Sequence, residues 1–149
     1  MSIVLTDVPY SSYILQQNIA SLLQSYPFLN VQTVGFSVLK NPIYAIRLGH
    51  GSKKVFYSAS IHANEWITST ILMKFVEDYC NSYINNSNLY GYSIRNLFSS
   101  ASIYIMPMIN PDGVNLVTGN IMTNSSVYQK FAFISSRIFF NSFSFWLES

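Results

Sequence analysis

Apolar positions fall into a few distinct patterns along this chain. Leu15, Ile19, Leu22, Leu23 and Tyr26 recur at helical spacing. They follow Pro9-Tyr10-Ser11-Ser12, where a serine is available as N-cap, and Pro27 closes the run. The spacing predicts a helix with one buried stripe. Two strand-like runs follow at residues 31–36 and 43–48. Lys40-Asn41-Pro42 between them carries turn chemistry, so a hairpin is predicted. Gly49-His50-Gly51-Ser52 reads as a second turn. Residues 55–61 are almost continuously apolar, the pattern of a strand buried on both faces. After Asn64, the residues Ile71, Leu72, Phe75, Val76 and Tyr79 share one helical face, and residues 85–88 read as a polar loop. Residues 103–109 form another apolar run, closed by Asn110-Pro111-Asp112-Gly113, a strong turn signal. Strand, helix, strand across residues 55–109 is a βαβ unit, which predicts parallel strands joined by a right-handed crossover. The fold class is α/β.

Composition sharpens this picture in two ways. Half of the 149 residues are hydrophobic and 16% are aromatic, but only 9% are charged, against about 25% in an average soluble domain. A core is affordable, and Ser, Asn, Gln, Thr and Tyr must supply the polar surface. The net charge of +2 and the lack of a dense basic patch argue against nucleic acid and against an anionic membrane as partners. No run approaches the roughly 20 apolar residues of a membrane span, and the N-terminus lacks the regions of a signal peptide. A cytoplasmic location is the expectation. Cys80, the single cysteine, reads as a small core residue. Residues 131–149 differ from the rest: Phe131, Phe133, Phe139, Phe140, Phe143, Phe145 and Trp146 fall there, without Gly or Pro and without a clean period.

Candidate chemistry concentrates in Ser58-Ala59-Ser60-Ile61-His62-Ala63-Asn64-Glu65-Trp66-Ile67. Imidazole nitrogen and carboxylate oxygen are both good zinc ligands. Three residues apart, His62 just before a helix and Glu65 on its first turn can reach one ion. The βαβ reading puts them at the C-terminal end of a parallel strand, where open α/β sheets place their sites. Position and spacing alone leave a second reading equally open, in which Glu65 caps the helix and His62 is a polar strand end. His50 reads as an exposed loop residue, and a turn role suffices for Asp112. Ser58, Ser60 and Ser69 lack a His-Asp pair to activate them.

The segment 59–68 resembles the metal-binding segment of the zinc carboxypeptidase family, and residues 107–114, around Asn110-Pro111-Asp112-Gly113, resemble its second signature. Residues 33–37 and 42–49 resemble the paired strands that precede the metal motif. The likeness runs in order and spacing over roughly residues 10–130 and is nearest to the bacterial branch of γ-D-glutamyl-diamino acid peptidases. It implies a three-layer α/β/α fold with a mixed sheet, cut to about its N-terminal half. Residues 1–130 would then be the N-terminal part of the catalytic domain, and 131–149 an atypical Phe-rich tail.

The resemblance also implies zinc as cofactor, held by His62 and Glu65, with a peptide or cell-wall peptide as substrate. The family's second zinc-binding His, its catalytic Glu, and the Arg and Asn-Arg groups that hold the substrate have no counterpart here. No catalytic residue is therefore assigned, the substrate-binding residues are unknown, and the zinc site is expected to lack its third ligand. The leading expectation is a truncated, inactive member arising by frameshift. The alternatives are a non-catalytic peptide-binding module, and half of a split enzyme completed by a C-terminal polypeptide. In this architecture the last strand is expected to show an unpaired edge and an uncovered apolar face, with the tail loosely docked over it.

Overall fold

The computed structural model describes residues 2–131 and 133. Helix α1 spans Ser12–Ser25. Ser11 caps it as predicted, its hydroxyl accepting the Ile14 N–H at 3.3 Å. Leu15, Ile19, Leu22 and the C-cap Tyr26 are buried. Leu23 turns outward instead, because the stripe continues through Leu22 to Tyr26 at a four-residue step.

Strands β1 (Asn30–Phe36) and β2 (Pro42–Leu48) form the expected antiparallel hairpin, with a register irregularity between Thr33 and Gly35. Strand β3 runs from Lys53 to Ser58. A short 3-10 turn at Ala63–Glu65 leads into the long helix α2, Trp66–Ile84. A two-residue ribbon follows, β4 (Asn88–Leu89) with β5 (Tyr92–Ser93), and then helix α3, Ile94–Ser100. Strand β6 covers Ala101–Met106 and helix α4 covers Pro111–Val117.

The sheet order is β1-β2-β6-β3. Strand β6 is antiparallel to β2 and parallel to β3, so the sheet is mixed and the βαβ expectation for β3 and β6 holds. Ile46, Leu48, Ile103 and Ile105 alternate onto one sheet face. They join Leu15, Ile19 and Leu22 of α1, Met73, Val76, Tyr79 and Cys80 of α2, and Val114 of α4 in one buried cluster. On the other face Arg47 donates to Ser102 Oγ at 3.0 Å and lies over the Tyr104 ring. Burial pushes the Cys80 thiol up to about 12, so it stays a neutral core residue, as its position predicts.

Two expectations about the sheet are overturned. Strand β3 is not buried on both faces: all six of its residues are exposed. The last strand, β6, is not the open edge, since it is paired on both sides. The physical reason is the same for both. The chain returns from α3 into the gap between β2 and β3, so β6 becomes central and β3 is left outermost among the described residues. The face of α2 is also shifted from the predicted one. Met73, Val76, Tyr79 and Cys80 face the core, and Ile71 faces outward. The ribbon β4–β5 and helix α3 occupy a region that periodicity does not resolve, because elements this short carry too few turns to show a period. The expectation for the tail falls on residues that, apart from Phe131 and Phe133, lie outside the described ones.

Candidate metal centre

The site is built where β3 ends. The Ala59 N–H donates to Met106 O, and Ala59 O and Ser60 O accept from the Ile109 and Asn110 N–H groups, each at 3.0 Å. The metal segment is thereby laid against the end of β6. Ser60 then takes a left-handed conformation, with φ 48°, which costs a non-glycine residue about 1 kcal/mol. Three hydrogen bonds hold it there, and a fourth braces its partners. Its N–H donates to Thr68 Oγ1 at 3.0 Å. Its hydroxyl donates to Glu65 O at 3.2 Å and shares a 2.6 Å bond with Ser69 Oγ. Thr68 Oγ1 donates to the same Glu65 carbonyl at 2.7 Å.

This turn delivers His62 to the start of the 3-10 turn and Glu65 to its end. His62 Nδ1 and Glu65 Oε1 stand 3.2 Å apart, with side chains 74% and 50% exposed. Two ligands about 2.1 Å from one zinc, at a tetrahedral angle, lie roughly 3.4 Å apart. The 3.2 Å separation, that of a direct hydrogen bond, is also close to this ligand-to-ligand spacing, and both side chains are open to solvent. Glu65 makes no side-chain cap bond to α2; its carboxylate is hydrogen-bonded to the His62 ring instead. Among the described residues, no group of three or more His, Cys, Asp or Glu is placed to hold a metal.

His50 is far from this centre. It precedes β3 while His62 follows it, and six strand residues separate the two by roughly 20 Å. Its ring meets Phe98 edge-on, and its N–H donates to Phe98 O. The flanking glycines are required, since a Cβ on Gly49 or Gly51 would run into the backbone at Phe98, Ser100 and Ala101.

Asn110-Pro111-Asp112-Gly113 proves to be a helix start that ties three elements together. Asn110 Oδ1 caps α4 by accepting the Gly113 N–H at 3.0 Å, and its Nδ2 reaches back to Ile61 O at 3.3 Å, beside His62. Pro111 sits in the first turn, where no N–H is needed. Gly113 leaves room for the Asn110 side chain, which a Cβ would strike.

Asp112 is buried and accepts from Ser37 Oγ at 2.6 Å, Leu39 N–H at 2.9 Å and Asn41 Nδ2 at 2.8 Å. It latches the β1–β2 turn to α4, so its carboxylate is spent on structure, but as a long-range latch from a helix start and not in the local turn expected from sequence. Burial alone raises such a carboxyl. Here the bonds from Ser37, Asn41 and Leu39 outweigh it and hold Asp112 below its ordinary value. A depressed folded pKa stabilises above the unfolded carboxylate range, and the stabilisation is lost as pH falls through the folded value. Asp112→Ala is expected to cost about 2 kcal/mol in urea unfolding at neutral pH, with the difference from the parent shrinking in acid. A loss that stayed constant down to low pH would show that the charge is not the source.

The sequence did not point to Ser60, Thr68, Ser69 and Asn110 as supports of the metal segment. The one available signal was Asn110, an Asn directly before a Pro, which is the pattern of an N-cap followed by N1.

Sequence and fold comparisons place the chain among known proteins. The zinc carboxypeptidase pattern matches residues 15–130. The chain is 40% identical over 121 residues to gamma-D-glutamyl-L-diamino acid endopeptidase 1 of Lysinibacillus sphaericus, covering 81% of this chain and 31% of that protein. It is 41% identical over 110 residues to the protein YqgT of Bacillus subtilis (strain 168), covering 72% and 29%. Bovine thrombin-activatable fibrinolysis inhibitor, solved with tick carboxypeptidase inhibitor, shares the fold with a TM-score of 0.60 at 25% identity, over 72% of this chain and 33% of that one. The chain belongs to the zinc carboxypeptidase family. It spans about a third of the length of the relatives it matches. Among the described residues no helix is long and apolar enough to cross a membrane.

Proposed function

We propose that this chain contributes two of the zinc ligands, His62 and Glu65, to a metallopeptidase that cleaves γ-D-glutamyl-diamino acid linkages in cell-wall peptides. The observation that carries the reading is the 3.2 Å contact of the exposed His62 and Glu65 side chains, just beyond the C-terminal end of a parallel strand. The likeness to the Lysinibacillus sphaericus endopeptidase supports the substrate class. The lone, buried Cys80 is compatible with a cytoplasmic setting, which we adopt as part of the same reading.

Zinc bound here would polarise the scissile carbonyl and lower the pKa of its water. His62 would lend an imidazole lone pair. Glu65 supplies an anionic oxygen, which offsets the repulsion that the positive N-terminal end of α2 exerts on a cation. Ser60, Thr68 and Asn110 fix the backbone on either side of the pair. In this reading the third ligand and the group that activates water come from outside the chain.

Calorimetric titration of the isolated chain with zinc tests the proposal. Uptake is expected to be too weak to saturate at equimolar metal, and His62→Ala should abolish it. The His62 imidazole resonances should be the first to move in an NMR titration. Tight stoichiometric uptake would mean that this chain itself holds a third ligand, and zinc shifts that bypass His62 would sink the ligand assignment.

A further inference from the structure

The turn between β1 and β2 lies at the metal end of the sheet. Strand β2 is antiparallel to β6 and β3 is parallel to it, so Pro42 opens β2 at the end where β3 and β6 stop. In this turn Lys40 adopts φ 66°, a left-handed conformation that glycine takes freely and lysine does not. The turn is nevertheless firmly held. The Lys40 N–H donates to Ser37 O at 3.0 Å, and the Asn41 N–H donates to Ser37 Oγ at 3.0 Å. Buried Asp112 accepts from Ser37, Leu39 and Asn41, on both sides of Lys40. Two residues before Asp112, Asn110 donates to Ile61 O, next to His62. Lys40 and His62 are therefore tied to the same helix start. Lys40 is exposed, and among the described residues it takes part in no ion pair.

We propose that Lys40, presented by the β1–β2 turn, recognises the free α-carboxylate that a γ-D-glutamyl linkage leaves beside its scissile carbonyl. The inference deepens the metallopeptidase reading above and rests on it.

Distance, charge and strain carry it. Continuing the β2–β6 register sets Pro42 level with Ile109, whose N–H donates to Ala59 O. Two strand spacings then put Pro42 roughly 10 Å from Ala59. Lys40 and His62 each lie a few residues further on, so their backbones stand roughly 10–15 Å apart. The lysine stem spans roughly 6 Å, which brings the ammonium to roughly 5–9 Å from the metal pair. In a γ-D-glutamyl peptide the α-carboxylate lies about 5 Å from the scissile carbonyl when the side chain is extended. Other cations are placed elsewhere. Lys53 and Lys54 open β3 and Arg95 precedes β6, all at the opposite end of the sheet. Arg47 lies over Tyr104, and Lys74 is paired with Glu77 and Asp78. A turn shaped for stability alone would carry glycine at position 40. A strained residue with an unpaired charge is kept where its side chain is used.

The full 149-residue chain, with and without excess zinc, is titrated with γ-D-glutamyl-diaminopimelate and followed by NMR of its lysine side chains. The control is the same peptide with the D-glutamyl α-carboxylate amidated. Saturable shifts are expected at Lys40 with the acid and not with the amide. Lys40→Gly is expected to melt no lower than the parent, since glycine relieves the strain, and to bind the acid roughly fivefold more weakly. Lys40→Gln should lose the same affinity, and Lys40→Arg should keep it.

The proposal is overturned if no lysine responds, if Lys130 or the Lys53-Lys54 pair responds in place of Lys40, or if acid and amide bind alike. It is equally overturned if Lys40→Gly binds as tightly as the parent, or melts well below it, which would make Lys40 a structural residue. Zinc at His62 without a response at Lys40 would sink this inference and leave the metallopeptidase reading standing. The acid held at Lys40, with zinc shifts that bypass His62, would do the reverse.

Discussion

Incubated alone, with or without zinc, the chain is expected to hydrolyse neither γ-D-glutamyl-diaminopimelate peptides nor C-terminal amino acids above background. The argument is an inventory. Catalytic zinc needs three protein ligands and an open position, and the chain has only two histidines, one of them at the far end of β3. A general base contributes about 10²–10⁴ in rate, and the chain has six carboxylates from which to draw one. Glu65 is the ligand in the proposed site, and Glu77 is buried under the N-terminal segment. Asp78 pairs with Lys74 at 2.9 Å, and Asp112 latches the hairpin turn. Asp7 is exposed near the N-terminus, and Glu148 lies outside the described residues. Peptide turnover that requires zinc and disappears in His62→Ala would reveal functional groups that this inventory misses.

Glu77→Ala is expected to destabilise the fold by about 3 kcal/mol, a large part of a typical domain's 5–15. Glu77 is 2% exposed in the middle of α2. It accepts from Ile3 N–H at 2.6 Å, Ser2 Oγ at 2.7 Å, Val4 N–H at 3.3 Å and Lys74 Nζ at 2.9 Å. Truncation would orphan the N–H groups of Ile3 and Val4 and release the segment that carries buried Val4. Glu77→Gln should lose less, because its amide oxygen still accepts. Burial raises the Glu77 carboxyl, but the bonds from Ile3, Lys74, Ser2 and Val4 outweigh it and leave it below its ordinary value. Its stabilisation is therefore complete above the unfolded glutamate range and fades as pH drops through the folded value. Denaturant unfolding of both variants from neutral to acid pH checks this. A loss for Glu77→Ala below about 1 kcal/mol would refute the role given to these bonds.

The sequence carried the local parts of this structure well. Ser11 capped α1, the β1–β2 hairpin formed, and the β3–α2–β6 unit was parallel, because each depends on short-range chemistry or on a period long enough to read. The proximity of His62 and Glu65 was legible for the same reason: both lie within one turn of chain. What failed depended on distant segments. A run such as Val55-Phe56-Tyr57 has the same composition whether a strand covers it or not, so its exposure could not be read. The place of β6 between β2 and β3 is a property of topology, which periodicity does not encode. The supports of the metal loop were equally hidden, because Ser60 and Thr68 look like ordinary polar residues until the chain turn brings them onto Glu65 O.

The central position of β6 has a consequence for the birth of the protein. Hairpin β1–β2 can form from neighbours in sequence, but β3 finds its partner only after roughly fifty more residues have been made. Until Ala101–Met106 emerges from the ribosome, β3 has no sheet to join, and its main-chain groups stay unpaired on both edges. Closing so long a loop is the slow, entropically costly event in assembling this sheet. A nascent chain stalled before Ala101 would thus be a hairpin with a sticky, unpaired strand, a ready client for chaperones, and release of even a few residues past Met106 would let the whole sheet close at once.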